Sequence, residues 1–225
     1  MYINIDDNLR DIFQNDFEDY IADKLEALGF QCFKSVYAKY SDIESQIDVV
    51  AVSRYCILCV ECKSWDAVYV DWRRTNLNWS YINPYGDCRF IKNPLRQSRN
   101  HARTLRMDLV ENLESEVFEK YGQYTYPCYP LVVVKGSATR TRGRLASTSS
   151  NNLYFCNDLE DIKSRYFLKV VTNLDKEVME EHIKYLKDKQ DRSKKRLVQH
   201  AMYIEECKRN KTGLWRPTEQ SIYNH

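Results

Sequence analysis

Short apolar runs alternate along the chain with longer segments whose apolar positions recur every three or four residues. That pattern reads as strands interleaved with amphipathic helices. From about Ile12 to Leu28 the periodicity is helical, and Gly29 follows as a residue suited to close a helix. Phe30 to Val36 reads as a first strand and Tyr37 to Ser45 as a polar connection. Val49 to Val52 and Ile57 to Val60 read as two buried strands joined near Ser53-Arg54-Tyr55-Cys56. Val68 to Trp72 and Leu77 to Ile82 follow as strands, then a turn at Asn83-Pro84-Tyr85-Gly86-Asp87 and a further apolar pair, Phe90 and Ile91. Asn93-Pro94 reads as a cap and a first helical residue, opening a helix predicted to reach about Tyr121. Leu131 to Val134 and Leu153 to Cys156 are the last strands, separated by a basic loop. Asp158 starts a short helix, and Lys176 to Lys208 forms a long charged one. This order predicts an α/β fold with a mixed central sheet flanked by helices. Residues 1–172 read as the folded domain and 173–225 as a charged helical extension.

The hairpin between the two buried strands has a chemical consequence. Directly opposed residues in an antiparallel pair have numbers of constant sum, so a turn centred on Arg54-Tyr55 sets Asp48 opposite Glu61. Opposed Cβ atoms lie roughly 5 Å apart. Lys63 shares the face of Glu61, because strand side chains alternate. Two carboxylates and an ammonium thus converge on one spot. Carboxylate oxygens suit a hard divalent cation such as magnesium, and a neighbouring lysine can orient or help deprotonate a bound water. On the first helix, at about 100° per residue, Glu18 falls at the edge of the stripe formed by Phe17, Ile21, Leu25 and Leu28. It reads as a third carboxylate for the metal or its water shell, against the plainer reading of a boundary glutamate.

The helix opened by Pro94 turns Leu95, Ala102, Leu105, Leu109 and Leu113 toward a core. Gln97 and His101 flank one edge of this stripe and Arg99, Arg103 and Arg106 the other. Gln97 is placed to bond a phosphate or Lys63, whereas His101 reads as a polar boundary residue. Lys92 and Asn93 stand at the amino end, where helices receive anions. Further basic clusters are Arg140, Arg142 and Arg144, and Lys194, Lys195 and Arg196. Tyr37, Tyr40, Trp65, Trp72 and Trp79 offer stacking surfaces for bases, unless they belong to the core.

Composition narrows the classes. With 34 basic and 32 acidic side chains the formal charge is +2, so affinity for a polyanion must come from local clusters. Eight cysteines without a secretory segment point to a reducing cytoplasm. No apolar run approaches the roughly 20 residues that span a bilayer. Cys59 and Cys62 have zinc-like spacing, but on a strand they point to opposite faces, which rules out that site. No phosphate-binding glycine loop or serine–histidine pair is present.

Glu18, Asp48 and Glu61-Cys62-Lys63 together resemble the motif of the PD-(D/E)xK nuclease superfamily. More narrowly, the chain is similar to the nuclease-related domain, NERD. The likeness includes Gln46-Ile47-Asp48, Val60-Glu61-Cys62-Lys63-Ser64-Trp65, Asn93-Pro94-Leu95 with Gln97 and His101, and Tyr129 to Val134. It covers roughly residues 12 to 165, and Ile47 stands where the superfamily carries its eponymous proline. The resemblance implies a restriction-endonuclease-like core and Mg²⁺-dependent hydrolysis of phosphodiester bonds in DNA, with Mn²⁺ able to substitute and RNA as the alternative substrate. It implies that Asp48, Glu61 and the carbonyl of Cys62 hold the metal, supported by Glu18. Lys63 would position the attacking water, and Gln97 would orient substrate or Lys63. Lys92, Asn93, Arg99, Arg103, Arg140, Arg142 and Arg144 are the expected nucleic-acid contacts. The rival reading is a catalytically silent nucleic-acid-binding or assembly module. The C-terminal helices would offer a surface for a second copy or a partner protein, and no membrane association is expected.

Overall fold

Apolar strands and amphipathic helices pack three core clusters against the two faces of a five-stranded sheet. The computed structural model describes residues 16–64, 69–71, 78–82, 85–122, 127–135, 141–142, 152–156, 159–162 and 175–209. Helix α1 (Asp16–Ala27) buries Phe17, Ile21 and Leu25. It closes on Gly29 at φ 94°, with Gly29 N–H bonded to Glu26 O and Phe30 N–H to Leu25 O. A left-handed residue there satisfies carbonyls that the helix end would otherwise leave unpaired.

Strands β1 (Gln31–Tyr40), β2 (Ile43–Val52) and β3 (Ile57–Lys63) form an antiparallel meander. The segment Tyr37 to Ser45, expected as a polar connection, is instead the outer arm of the β1–β2 hairpin, turned at Ser41 and Asp42. It reads as a loop because the exposed side of this arm takes polar residues. Its backbone is held from the other side, where Ser193 Oγ accepts from Tyr37 N–H at 3.2 Å and Asp108 from Lys39 N–H at 3.0 Å.

Strand β7 (Cys128–Val134) adds parallel to β3, and β9 (Leu153–Phe155) adds parallel to β7, giving the order β1-β2-β3-β7-β9. Parallel neighbours need a long crossover. It carries the second sheet, built from β4 (Tyr69–Asp71), β5 (Asn78–Ile82), β6 (Cys88–Lys92) and, from beyond β7, β8 (Thr141–Arg142) in the order β6-β5-β4-β8. It then carries α2 (Pro94–Leu109), a π turn (Val110–Glu114) and α3 (Ser115–Tyr121). The helix predicted from Asn93-Pro94 to about Tyr121 is therefore present, with one widened turn, and Gly122 at φ 65° ends it.

The expected charged helix is α4 (Lys176–Arg209), a single rod whose Val178 and Leu186 enter the same core as Leu105, Leu109 and Ile47. The attachment has a buried polar centre at Asp108. It accepts from Tyr185 Oη at 2.7 Å, Asn112 Nδ2 at 2.9 Å and Lys39 N–H at 3.0 Å, and Lys189 Nζ lies 2.6 Å away. One aspartate thereby joins α2, α4 and the hairpin arm. The architecture is the mixed sheet with flanking helices that the pattern predicts, and it agrees with a restriction-endonuclease-like core. Among the described residues no helix is long and apolar enough to cross a membrane.

If α4 is integral to this core, Leu186→Ala lowers stability by about 2–5 kcal/mol. Met202→Ala, at a position 67% exposed on the same helix, stays within about 0.5 kcal/mol of the parent. Denaturant melts of both variants check this, and equal small effects would detach α4 from the core.

Candidate active site

The constant-sum register holds. Val49↔Val60, Val50↔Cys59, Ala51↔Leu58 and Val52↔Ile57 are partners, so the next level of the hairpin is Asp48 and Glu61. On the other side of β2 the ladder skips one level. Lys34↔Val49 and Val36↔Ile47 pair, while Ser35, at φ 52°, and Asp48 between them do not. Alternation slips at this level in both strands together: Phe33 and Val36 enter one core, as do Ile47 and Val50. Asp48 therefore sits where the regular ladder opens. Its Oδ2 accepts a hydrogen bond from Cys62 N–H at 2.8 Å.

Glu61 is 1% exposed. Its Oε1 accepts from the Lys63 ammonium, and its Oε2 lies 3.2 Å from His101 Nδ1 on α2. Neither of these last two atoms makes a hydrogen bond within the described residues. Burial and the charge of Asp48 push Glu61 up to about 7, against the pull of Lys63. Burial also raises Asp48, countered by Cys62 N–H and Lys63. Burial and the Lys63 charge push His101 down to about 4. At neutral pH the imidazole is uncharged, so it meets Glu61 as a polar contact rather than an ion pair. A buried carboxylate whose ionisation is hindered by burial and by a half-buried neighbour is poised to gain from a cation.

Cys62 turns its side chain to the α1 face, and burial with the charges of Asp48, Glu18 and Glu61 raises its thiol well above the usual range. Half-buried Glu18 thus makes its charge felt at the end of β3. Among the described residues, however, no three His, Cys, Asp or Glu side chains converge into a preformed metal cage. A strand residue directs N–H and C=O to the same side. Since Cys62 N–H meets Asp48, its carbonyl faces β2 as well. Two carboxylates, one with an oxygen that finds no hydrogen bond, and a neighbouring carbonyl are a donor set fitting a hard divalent ion that keeps several waters.

A groove of about 700 Å³ lies over α2, and Lys92, Asn93, Gln97, His101 and Arg103 all line it. Arg99 is exposed on α2 outside that lining. Asn93 departs from the expectation. Its Oδ1 accepts from Leu95 N–H at 3.0 Å and Arg96 N–H at 3.4 Å, and its carbonyl accepts from Arg96 and Gln97 N–H. The cap is formed, and the amides that an anion would use are already engaged. Trp79 is core, packed with Leu95, Val132 and Leu153, because β5 turns it inward. Tyr40 lines the groove, whereas Tyr37 is bonded to Gln46 and lies under Arg196. Lys194 and Lys195 are exposed on α4, and Arg196 pairs with Glu44 at 3.3 Å. Arg140, Arg144, Trp65 and Trp72 lie outside the described residues, as does the side chain of Arg142, whose backbone forms β8.

Sequence reasoning missed two residues. His101 touches Glu61, and its position one turn after Gln97 on the core side of α2 was the available signal. Arg96 lines the groove seven residues, two turns, before Arg103.

The model of the family described as nuclease-related domain matches residues 13–135, more than half of the 225-residue chain. That span includes Glu18, Asp48, Glu61, Lys63, Gln97 and His101. No curated protein and no solved structure matches the chain.

The raised Glu61 carboxyl has a thermodynamic sign. Its folded pKa of about 7 exceeds its ordinary 4.5, so the stability it contributes is full below 4.5 and is lost as pH rises through about 7. In EDTA, Glu61→Gln should therefore gain Tm relative to the parent as pH rises from about 5 to 8. A Tm difference that does not change with pH would show that burial leaves this carboxyl unperturbed.

Proposed function

Because the chain belongs to the nuclease-related domain family, within the restriction-endonuclease-like superfamily, we propose that it is a metal-dependent endonuclease hydrolysing phosphodiester bonds in DNA. One observation carries the reading: half-buried Asp48 on β2 lies level with buried Glu61 near the end of β3, where the Lys63 ammonium contacts Glu61. Asp48, Glu61 and the carbonyl of Cys62 are the residues that would hold Mg²⁺, or Mn²⁺ in its place, with Glu18 adding negative charge from the α1 side. When bound, the ion supplies Lewis acidity and a more acidic water.

The side chains have separate work. Glu61 cannot ionise readily without a cation, which couples metal binding to release of its proton. Lys63 is partly exposed and bonded to Glu61 on one side only, leaving donors to orient a water and to stabilise charge developing on a phosphate. His101 packs against Glu61 and limits where that carboxylate can turn. Gln97 lines the groove beside His101 and is placed to bond a phosphate oxygen. Lys92, Arg99, Arg103, Arg140, Arg142 and Arg144 are proposed phosphate contacts, whereas Asn93 serves as the cap that sets the start of α2. A cytoplasmic setting fits the seven described cysteines, all free thiols, and the role proposed, in genome defence, repair or mobile-element biology, follows from the nuclease reading alone.

The alternative is a catalytically silent nucleic-acid-binding or assembly module with the same fold. Plasmid DNA with Mg²⁺ or Mn²⁺ separates the two. The parent should nick or linearise the plasmid and stop in EDTA. Lys63→Ala and Asp48→Ala should lose roughly 10²-fold or more in rate, with DNA retention nearly unchanged. A parent that retains DNA without cutting it, or variants that cut like the parent, would sink the enzyme reading.

A further inference from the structure

The groove over α2 has an uneven chemistry. Its floor is the helix face with Arg96, Gln97, Asn100, Arg103 and Thr104. One wall is the turn of the β1–β2 hairpin, through Tyr40 and Ile43, and the other is the second sheet, through Asn78 and Lys92. His101 lines the groove and also lies 3.2 Å from Glu61, so a single side chain stands between the groove and that carboxylate.

Charge there is one-sided. Lys92, Arg96 and Arg103 have no acidic partner among the described residues. Glu44, the carboxylate of the lining, is met by Arg196 at 3.3 Å and by Lys39 at 3.8 Å. A chain with a net charge of only +2 therefore concentrates three uncompensated cations along one depression. Beside them Phe90 is 76% exposed. It stands two residues from Lys92 on β6, and the pairs Asn78↔Lys92 and Ser80↔Phe90 put it on the same face, next to the groove wall.

An exposed aromatic next to unpaired cations is what a single strand can use, because its bases are free to stack while its backbone is neutralised. An intact duplex keeps its bases stacked inside and presents mainly phosphates, leaving such an aromatic without a partner. The groove volume falls within the roughly 300–1,000 Å³ of clefts that enclose small ligands, which suits a few nucleotides of one strand lying between two walls.

We propose that this groove is the track for a single nucleic-acid strand, with its backbone over Lys92, Arg96 and Arg103 and one base on Phe90. That the strand is then delivered to Asp48 and Glu61 for cleavage rests on the nuclease reading above; the binding itself does not.

Fluorescence anisotropy in EDTA, where no cutting is needed, tests the track with the full chain, a short labelled oligodeoxynucleotide and its blunt duplex. The single strand should bind at least about 10-fold tighter than the duplex, a preference expected from base stacking on an aromatic. Arg96→Ala/Arg103→Ala should weaken single-strand binding by about 10-fold or more and flatten its salt dependence by about 1.4, two contacts at about 0.7 each. Phe90→Ala should weaken it by about 5-fold or more. All three side chains are exposed, so the fold does not depend on them. Duplex binding as tight as single-strand binding, or variants that bind like the parent, would overturn the track. If the binding results hold but Mg²⁺ brings no cleavage, the nuclease reading fails alone. If Mg²⁺-dependent cleavage occurs while the groove variants bind unchanged, the track fails alone.

Discussion

A carboxylate taken out of water demands compensation from its neighbours, and Glu61 places that demand at the centre of the molecule. Only 1% of it is exposed, and among the described residues it meets one ammonium on Oε1 and a neutral imidazole near Oε2. Asp48, on the adjoining strand, adds a like charge. Left to itself the cluster holds its proton and weakens the fold as pH rises. A divalent cation reverses the balance, since both carboxylates then face an opposite charge and can ionise together. The cost of burying Glu61 is thus an observation about folding that also explains how the site would recruit its metal.

The surroundings hold that cluster in register. Asp48 stands where the ladder between β1 and β2 opens, which leaves its carboxylate to meet Cys62 N–H. His101 is delivered by α2, and α2 is fixed at both ends. Asn93 caps its start, and Asp108 near its end ties it to α4 and to the hairpin arm. The long C-terminal helix thereby supports the site from a distance, by holding the element that carries His101, Gln97 and Arg103.

Much of this is legible in the sequence. The register that brings Asp48 level with Glu61 follows from turn length alone, because both apolar runs are buried on both faces and their pattern does not distinguish one register from the next. Asn93-Pro94 announced the start of α2 through cap chemistry, and Gly29 announced the end of α1. Other features depend on tertiary packing and carry weaker local signals. The hairpin arm from Tyr37 to Ser45 looks like a loop, since its strand character comes from backbone pairing and from contacts with Ser193 and Asp108 far along the chain. Trp79 looks like a stacking surface until β5 is seen to face it inward. His101 looks like a boundary residue because periodicity places it on a helix edge but says nothing of which strand end lies opposite. Asn93 reads in the sequence both as a cap and as an anion contact, and the two uses compete for the same amides.

The proposed chemistry stands on Asp48 and Glu61 acting together on one cation. Diffraction at the manganese edge from a Mn²⁺-soaked crystal measures this most directly. One anomalous peak is expected between the two carboxylates, adjoining the Cys62 carbonyl and absent from an Asp48→Ala crystal. A peak elsewhere, or none at these carboxylates under saturating Mn²⁺, would contradict it.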